Sequence, residues 1–515
     1  MPGTEARRRA IAALLAGSAA LTLSACLATG EPVAGSVRYA TDPCAFTPWA
    51  SAEARGTAGL VIGADVLMDA GVEQDHAVHV RFNGSIGATG AFEAIRAAYP
   101  DAGVLDCRGN AVLSPGFVNA HEHPAYSYAF PDANLNPGYA HRDEWRLGLA
   151  GKPRLPSPMP VYYTPGEDAA AALLIAMELR HLLGGATTIA GSGGIPGLIR
   201  NVGLHERVTD LALYDAEADV STFPFSYTVV EDLQNECAGG PVHTFPNVDD
   251  DRLTFTAYVP HVGEGRRTSC AARAEVSRYL ERVRRRDRRY SLVHGVAADM
   301  ADYEVMRDHD VTLVWSPRSN LALYGQTVDL PAVLASGVRI ALATDWSPSG
   351  SFNMREEVRC ARQVASSARI SVPDRLLWEM ATGHGAYALG LEHRFGGIEP
   401  GRRADLILVE HGGDDRYGAV LEARPEDTLG TWIDGRPVLL TESMASALGL
   451  GRCEPLEGMK LTLCGVFDRF GLSSSDYHHL ARAAVPLNDT ARQAPCALDL
   501  PAASAGAKGT EPNAP

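Results

Sequence analysis

Apolar and polar positions alternate in short runs from residue 59 onward, and the character of those runs changes twice along the chain. The first runs, at 60–66, 77–82 and 111–113, are rich in Val and Ala and broken by Gly and Asn, which predicts a small sheet. Past Ser114-Pro115-Gly116, strand-length apolar runs alternate with segments of helical spacing: 169–183 precedes 186–190, and 274–285 precedes 291–293. The alternation continues through 301–307, 311–314, 330–335, 339–342 and 355–365. Strand and helix repeating over about 250 residues is the pattern of an α/β domain, and its length suits a (β/α)8 TIM barrel. A doubly wound sheet would carry a glycine fingerprint after its first strand, and none stands there. Strand-like runs return at 404–409 and 431–440, so the two flanks are expected to meet in one small β-sandwich beside the barrel. The expected organisation is therefore 57–112 and 390–440 for the sandwich, 113–389 for the barrel, 441–501 for an appendage and 502–515 for a disordered tail.

The amino terminus reads differently. Arg7, Arg8 and Arg9 precede an apolar run at 10–23 that is too short to span a bilayer, the pattern of a secretory signal at 1–25. The string Leu23-Ser24-Ala25-Cys26 resembles the bacterial lipobox. That resemblance implies lipidation of Cys26, a lead at 26–56, and a protein anchored by lipid to a membrane of the bacterial envelope, on its periplasmic or outer side. Cleavage after another small residue such as Ala20 would still mean export. Eight cysteines remain after Cys26, an even set that an oxidising compartment allows to pair. The loop-like surroundings of Cys237 with Cys270, and of Cys453 with Cys464, make these the expected pairs. No Cys-x-x-Cys is present, which argues against a cysteine zinc site or a thioredoxin-like motif.

The chain has 515 residues, of which 46% are hydrophobic and 21% charged, an ordinary globular balance. Its net charge of -16 argues against a nucleic-acid surface, which needs clustered positive charge. The expected partner is a small-molecule substrate; membrane contact is expected only through the lipid, and a homo-oligomer is compatible with the sequence.

Candidate chemistry gathers at strand ends. Residues 113–123 read as the first barrel strand, ending in His121-Glu122-His123. On an extended chain i and i+2 share a side, so His121 and His123 project together and Glu122 points opposite. Later strand runs end in His261 and Glu264, in His294, and in Asp345. All carboxyl ends of a parallel barrel open on one face, so these residues converge. Three histidines and a carboxylate suit one divalent ion, with Zn²⁺ the first choice and Fe²⁺ or Mn²⁺ as alternatives.

These motifs resemble those of the amidohydrolase superfamily of metal-dependent hydrolases. They are similar to its branch of S-adenosylhomocysteine, guanine and cytosine deaminases and triazine chlorohydrolases. The similarity runs from about 59 to 440: Pro115-Gly116-Phe117-Val118-Asn119-Ala120-His121-Glu122-His123, Gly185-Ala186-Thr187-Thr188, His261-x-x-Glu264, His294, Ser316-Pro317-Arg318-Ser319-Asn320-Leu321, Thr344-Asp345, and Gly397-Ile398-Glu399-Pro400-Gly401-x-x-Ala404-Asp405-Leu406. The resemblance implies His121, His123, His261 and Asp345 as metal ligands, and His294 beside the metal, bonding substrate or water. Many binuclear members bridge two metals with a carboxylated lysine; here no lysine lies between Lys152 and Lys460, which favours one ion.

The implied reaction is hydrolysis of a non-peptide carbon–nitrogen bond, by deamination of an amino-heterocycle or opening of an amide. A metal ion would lower the pKa of water to about 7 and provide hydroxide, with Asp345 accepting the proton and Glu264 shuttling it to a ring nitrogen or leaving group. Catalytic roles thus fall to Glu264, His294 and Asp345. The rivals are a cyclic-amide or imidazolone-type hydrolase, a dipeptidase-like enzyme, and a binding lipoprotein that lost catalysis. The intact ligand set argues against the last. Trp346 stands where the branch usually has Gly and Trp315 where His or Cys is common, so the substrate is expected to differ from those of the namesake deaminases. A long segment between His123 and Glu167 carries Tyr126, Tyr128, His141, Arg142, Trp145 and Arg146 and reads as a substrate lid. The candidate substrate-binding residues are Tyr126, Trp145, Trp315, Asn320 and Trp346.

Overall fold

A computed structural model describes residues 43–127, 135, 138–156, 159–164, 166–191, 193–195, 197–202, 220–221, 237, 257–283, 289–466, 493 and 495–496. The expected signal segment with Cys26, the expected tail and Tyr128 lie outside these residues. No helix among them is long and apolar enough to cross a membrane.

Eight parallel strand positions follow in order: β1 (Phe117–Asn119), β2 (Ala186–Ala190), β3 (Arg200–Val202), β4 (Val220–Ser221), β5 (Ala257–Tyr258 and His261–Val262), β6 (Arg289–His294), β7 (Thr312–Trp315) and β8 (Ile340–Leu342). They form two hydrogen-bonded runs, β1-β2-β3 and β4-β5-β6-β7-β8. The end of β8 closes onto the end of β1: Glu122 and Asp345 form a parallel bridge, His123 N donates to Asp345 O at 3.0 Å, and Asp345 N to His121 O at 3.1 Å. This is a (β/α)8 barrel.

Strand alternation sorts the core into two shells. Small residues, Val118, Ala190, Val202, Val293, Val314 and Ala341, fill the barrel interior. Their sequence neighbours Phe117, Leu292, Leu313, Trp315 and Leu342 point outward and pack with the helices in a second, larger core.

The flanks meet in a single curled sheet of eleven strands. Ala111–Pro115 runs antiparallel to Leu406–Glu410, pairing Pro115 with Leu406, so the two ends of the chain are joined strand to strand. One face of this junction, Val112, Ile407 and Val409, packs on the barrel's outer core. The other, Leu113, Leu406 and Leu408, closes over Trp432 and Met444. Asp405 adds a buried fork, with Oδ2 accepting from Arg200 Nε and Oδ1 from Arg200 Nη2, both at 3.0 Å, which ties β3 to the sheet.

Two boundaries need correction. The expected appendage from 441 begins as more of the same sheet, through Cys453–Pro455 and Leu461–Cys464. The expected lead is already structured at its end, where Ala45–Thr47 pairs antiparallel with Gly103–Asp106. Disulfides explain both: Cys44 bonds Cys107, Cys453 bonds Cys464, and Cys360 bonds Cys496, while Cys237 bonds Cys270.

Candidate metal centre and its cavity

The carboxyl ends of β1, β5, β6 and β8 bring their polar residues to one place. Ligand atoms of His121, His261, His294 and Asp345 lie within 4.8 Å of one another, and all four residues are buried. His123 joins from the cavity side, its Nε2 3.3 Å from Asp345 Oδ1 and 3.4 Å from His261 Nε2. His121 Nε2 is 3.2 Å from the same Asp345 oxygen. Two of these residues hold strained backbones: His294 has φ 72° and Asp345 φ 66°, left-handed values that non-glycine residues adopt at a cost of about 1 kcal/mol or more.

Electrostatics leave the cluster in the state a cation needs. Burial pushes the His121 imidazole down to about 4 and holds His261 well below its ordinary value, so both are neutral at pH 7. Burial opposes the ionisation of Asp345, but the His294, His121 and His123 imidazoles outweigh it and hold the carboxyl well below the usual range. Both ring nitrogens of His121 and Nε2 of His294 are buried without a hydrogen-bond partner. Orphaned lone pairs of this kind need an explanation, and a coordinated ion supplies one. The donor set of imidazoles and one carboxylate fits a divalent ion of the zinc type.

Neighbouring side chains fix the orientation of these groups. Asn320 Oδ1 lies 2.9 Å from His294 Nδ1, which sets Nδ1 as the protonated nitrogen and leaves Nε2 as the acceptor facing the cluster. Ser319 Oγ donates to Asp345 Oδ2 at 2.5 Å and meets Ser349 Oγ at 2.8 Å. Behind β1, Glu122 accepts from the Ser127 and Thr344 hydroxyls and from Asn119 Nδ2 at 3.3 Å.

Above the cluster opens a cavity of about 520 Å³ with His123, His261, Glu264 and Asp345 in its lining. Tyr126, Trp145, Trp346 and Tyr162 supply aromatic surface, and Arg142, Arg146 and Arg154 also reach it. Trp145 and Trp346 pack with ring centroids 5.4 Å apart, and Trp346 lies 6.3 Å from the His123 ring. Glu264 is buried, with Oε2 3.8 Å from His294 Nε2. Tyr324, the last residue of the helix Pro317–Tyr324, donates to its Oε1 at 2.7 Å.

The structure therefore gathers His121, His123, His261, Glu264, His294 and Asp345, and places Tyr126, Trp145 and Trp346 on the cavity wall. Two candidates do not reach it. Trp315 points outward by strand alternation, since Val314 takes the interior position, and its Nε1 donates to Thr327 Oγ1 at 2.7 Å. Asn320 is fully buried against His294 and orients that ring instead of lining the cavity. Tyr324 and Ser319 were missed. A signal for Tyr324 existed: it stands four residues after Asn320 on one short helix, the spacing that shares a face.

Parts of the chain are similar to known proteins. Residues 261–438 match the amidohydrolase family. A 5-methylthioadenosine/S-adenosylhomocysteine deaminase of Desulforudis audaxviator is 38% identical over 119 residues, 22% of this chain and 28% of that protein. Its namesake in Haloquadratum walsbyi is 27% identical over 350 residues, 59% of this chain and 72% of that protein. An S-triazine hydrolase of Gordonia rubripertincta is 31% identical over 137 residues, 26% of this chain and 28% of that protein. The chain thus spans less than a third of the length of the first and third of these relatives.

Proposed function

Because the chain carries an amidohydrolase-family domain, we propose that it is a metal-dependent hydrolase that removes an amino group from a small nitrogen heterocycle. One observation carries the reading: orphaned nitrogens of buried neutral imidazoles and an ionised Asp345 converge at the floor of a cavity with Glu264 in its wall. His121, His123, His261 and Asp345 would hold a single ion, Zn²⁺ first and Fe²⁺ or Mn²⁺ next, with His294 Nε2 facing the same point. When bound, such an ion makes water acidic enough to act as a nucleophile near neutral pH.

The protein's own groups do the rest. Asp345 presents one oxygen to the imidazoles and holds the other on Ser319, so it is an ionised acceptor for a proton leaving water. Glu264, set back by a few ångströms and touching the cavity, carries a proton to the ring nitrogen or to the departing amine. His294, fixed by Asn320, offers Nε2 to the attacking water or to the carbon's substituent. Tyr126, Trp145 and Trp346 give a planar ring flat apolar surface, and about 520 Å³ exceeds what a bare heterocycle fills, which favours a substrate with a substituent.

Screening the metal-loaded protein against amino-heterocycles and N-acyl compounds for released ammonia or amine identifies the substrate. With it, Glu264→Gln is expected to lower turnover by about 10²–10⁴-fold while metal content stays at the wild-type stoichiometry. Full activity in that variant removes Glu264 from the mechanism.

A further inference from the structure

Glu264 is held from outside the metal cluster, by residues that no metal site requires. Tyr324 ends the helix Pro317–Tyr324 and is fully buried among Tyr139, Leu155, Leu323 and Trp346. Its hydroxyl lies 2.7 Å from Glu264 Oε1 and 2.8 Å from Trp145 Nε1. An indole nitrogen can only donate, so the phenol oxygen accepts from Trp145 and its own hydrogen goes to Glu264. The direction of the chain is thereby fixed, from lid to Tyr324 to carboxylate. Burial and the neighbouring Glu264 keep the phenol well above its ordinary pKa, so it stays a donor.

The lid is joined to the same turn through its backbone. Trp145 belongs to a short helix, Arg142–Leu147. Arg142 N donates to Glu264 O at 3.1 Å and Arg266 N to Ala140 O at 2.7 Å. The Arg142 guanidinium forks onto Glu275, whose Oε2 also accepts from Gly263 N at 2.8 Å. Residues 140–142 of the lid and 263–266 are therefore bonded to each other directly and through Glu275.

We infer that Tyr324 is a positioning residue for Glu264 and that, through Trp145, it makes the placement of this carboxylate depend on a seated lid. A ring packed against Trp145 and Trp346 would hold the lid down and so set Glu264. The inference rests on the proposed proton-carrying role of Glu264.

The test uses the metal-loaded full-length protein with Tyr324→Phe, with Trp145→Phe, and with both. Amide hydrogen exchange is read at 139–155 and 261–266, and kcat and KM on the heterocycle found by ammonia release. Each single variant is expected to speed exchange in both segments about threefold or more and to lower kcat about tenfold; KM should stay within about twofold in Tyr324→Phe and rise in Trp145→Phe, whose indole also lines the cavity. The double variant should do no more than the stronger single one, because one chain is being cut twice. Wild-type exchange in both single variants, an unchanged kcat, or additive effects would each overturn the inference. If Tyr324→Phe lowers the melting temperature sharply, Trp145→Phe, on the lid, decides alone. Glu264→Gln keeps an acceptor for the phenol and should exchange like wild type. If it stays fully active, the proton role falls, while exchange in the other variants still decides the lid link.

Discussion

His121 and Glu122 are adjacent, equally buried, and face opposite sides of the strand end, yet their surroundings could hardly differ more. Glu122 accepts from Ser127, Thr344, Asn119 and the His123 backbone, with His181 Nε2 a further 3.5 Å away. Neither ring nitrogen of His121 makes a hydrogen bond, and its one polar neighbour is the Asp345 oxygen 3.2 Å from Nε2. Saturated polarity behind the strand fastens β1 to β8 and stabilises a shape; unsaturated polarity in front is stabilised only when something binds. The contrast separates two kinds of buried polar group that composition and burial alone would treat as equivalent.

Substitutions on the two sides should fail in different ways. His261→Ala is expected to lose bound metal and at least about a thousandfold in turnover, several kcal/mol of transition-state stabilisation, with the melting temperature of the metal-free protein hardly changed. Metal analysis beside a thermal melt checks this, and retention of metal would dissolve the distinction. Glu122→Ala should do the reverse. Leaving these four donors without their acceptor is expected to cost about 3–5 kcal/mol in denaturant unfolding, while the fraction that folds still binds one ion. Loss of metal at unchanged stability would move Glu122 to the functional side.

Much of this contrast was legible in the sequence, and the limits are physical. Alternating strands and helices reveal a barrel because each strand is buried on both faces, and the His-x-His triplet with later strand-end His and Asp residues marks its open face. The pairs Cys237–Cys270 and Cys453–Cys464 were readable from their loop-like surroundings. The bonds Cys44–Cys107 and Cys360–Cys496, 63 and 136 residues apart, depend on tertiary packing that local pattern does not carry. Tyr324 shares a helix face with Asn320 in the sequence, but only the place of Glu264, across a chain separation of 60 residues, gives its hydroxyl a purpose.

Trp315 and Trp346 extend the comparison to uncharged residues, where the expected effect is smallest. Both are large, both end barrel strands, and both were candidates for the cavity wall. One-residue parity separates them: Val314 faces the interior, so Trp315 turns to the helices, whereas Trp346, past Asp345, stands in the cavity lining. Trp315→Phe removes the bond to Thr327 Oγ1 and little apolar surface, an expected loss of about 1 kcal/mol of unfolding free energy. KM should remain within about twofold, because nothing that meets substrate has moved. Thr327 also accepts from Asn320 Nδ2 at 3.4 Å, so a small fall in kcat would be transmitted through the residue that orients His294. A large rise in KM with stability unchanged is the one result that returns Trp315 to the cavity and breaks the parity argument that placed it outside.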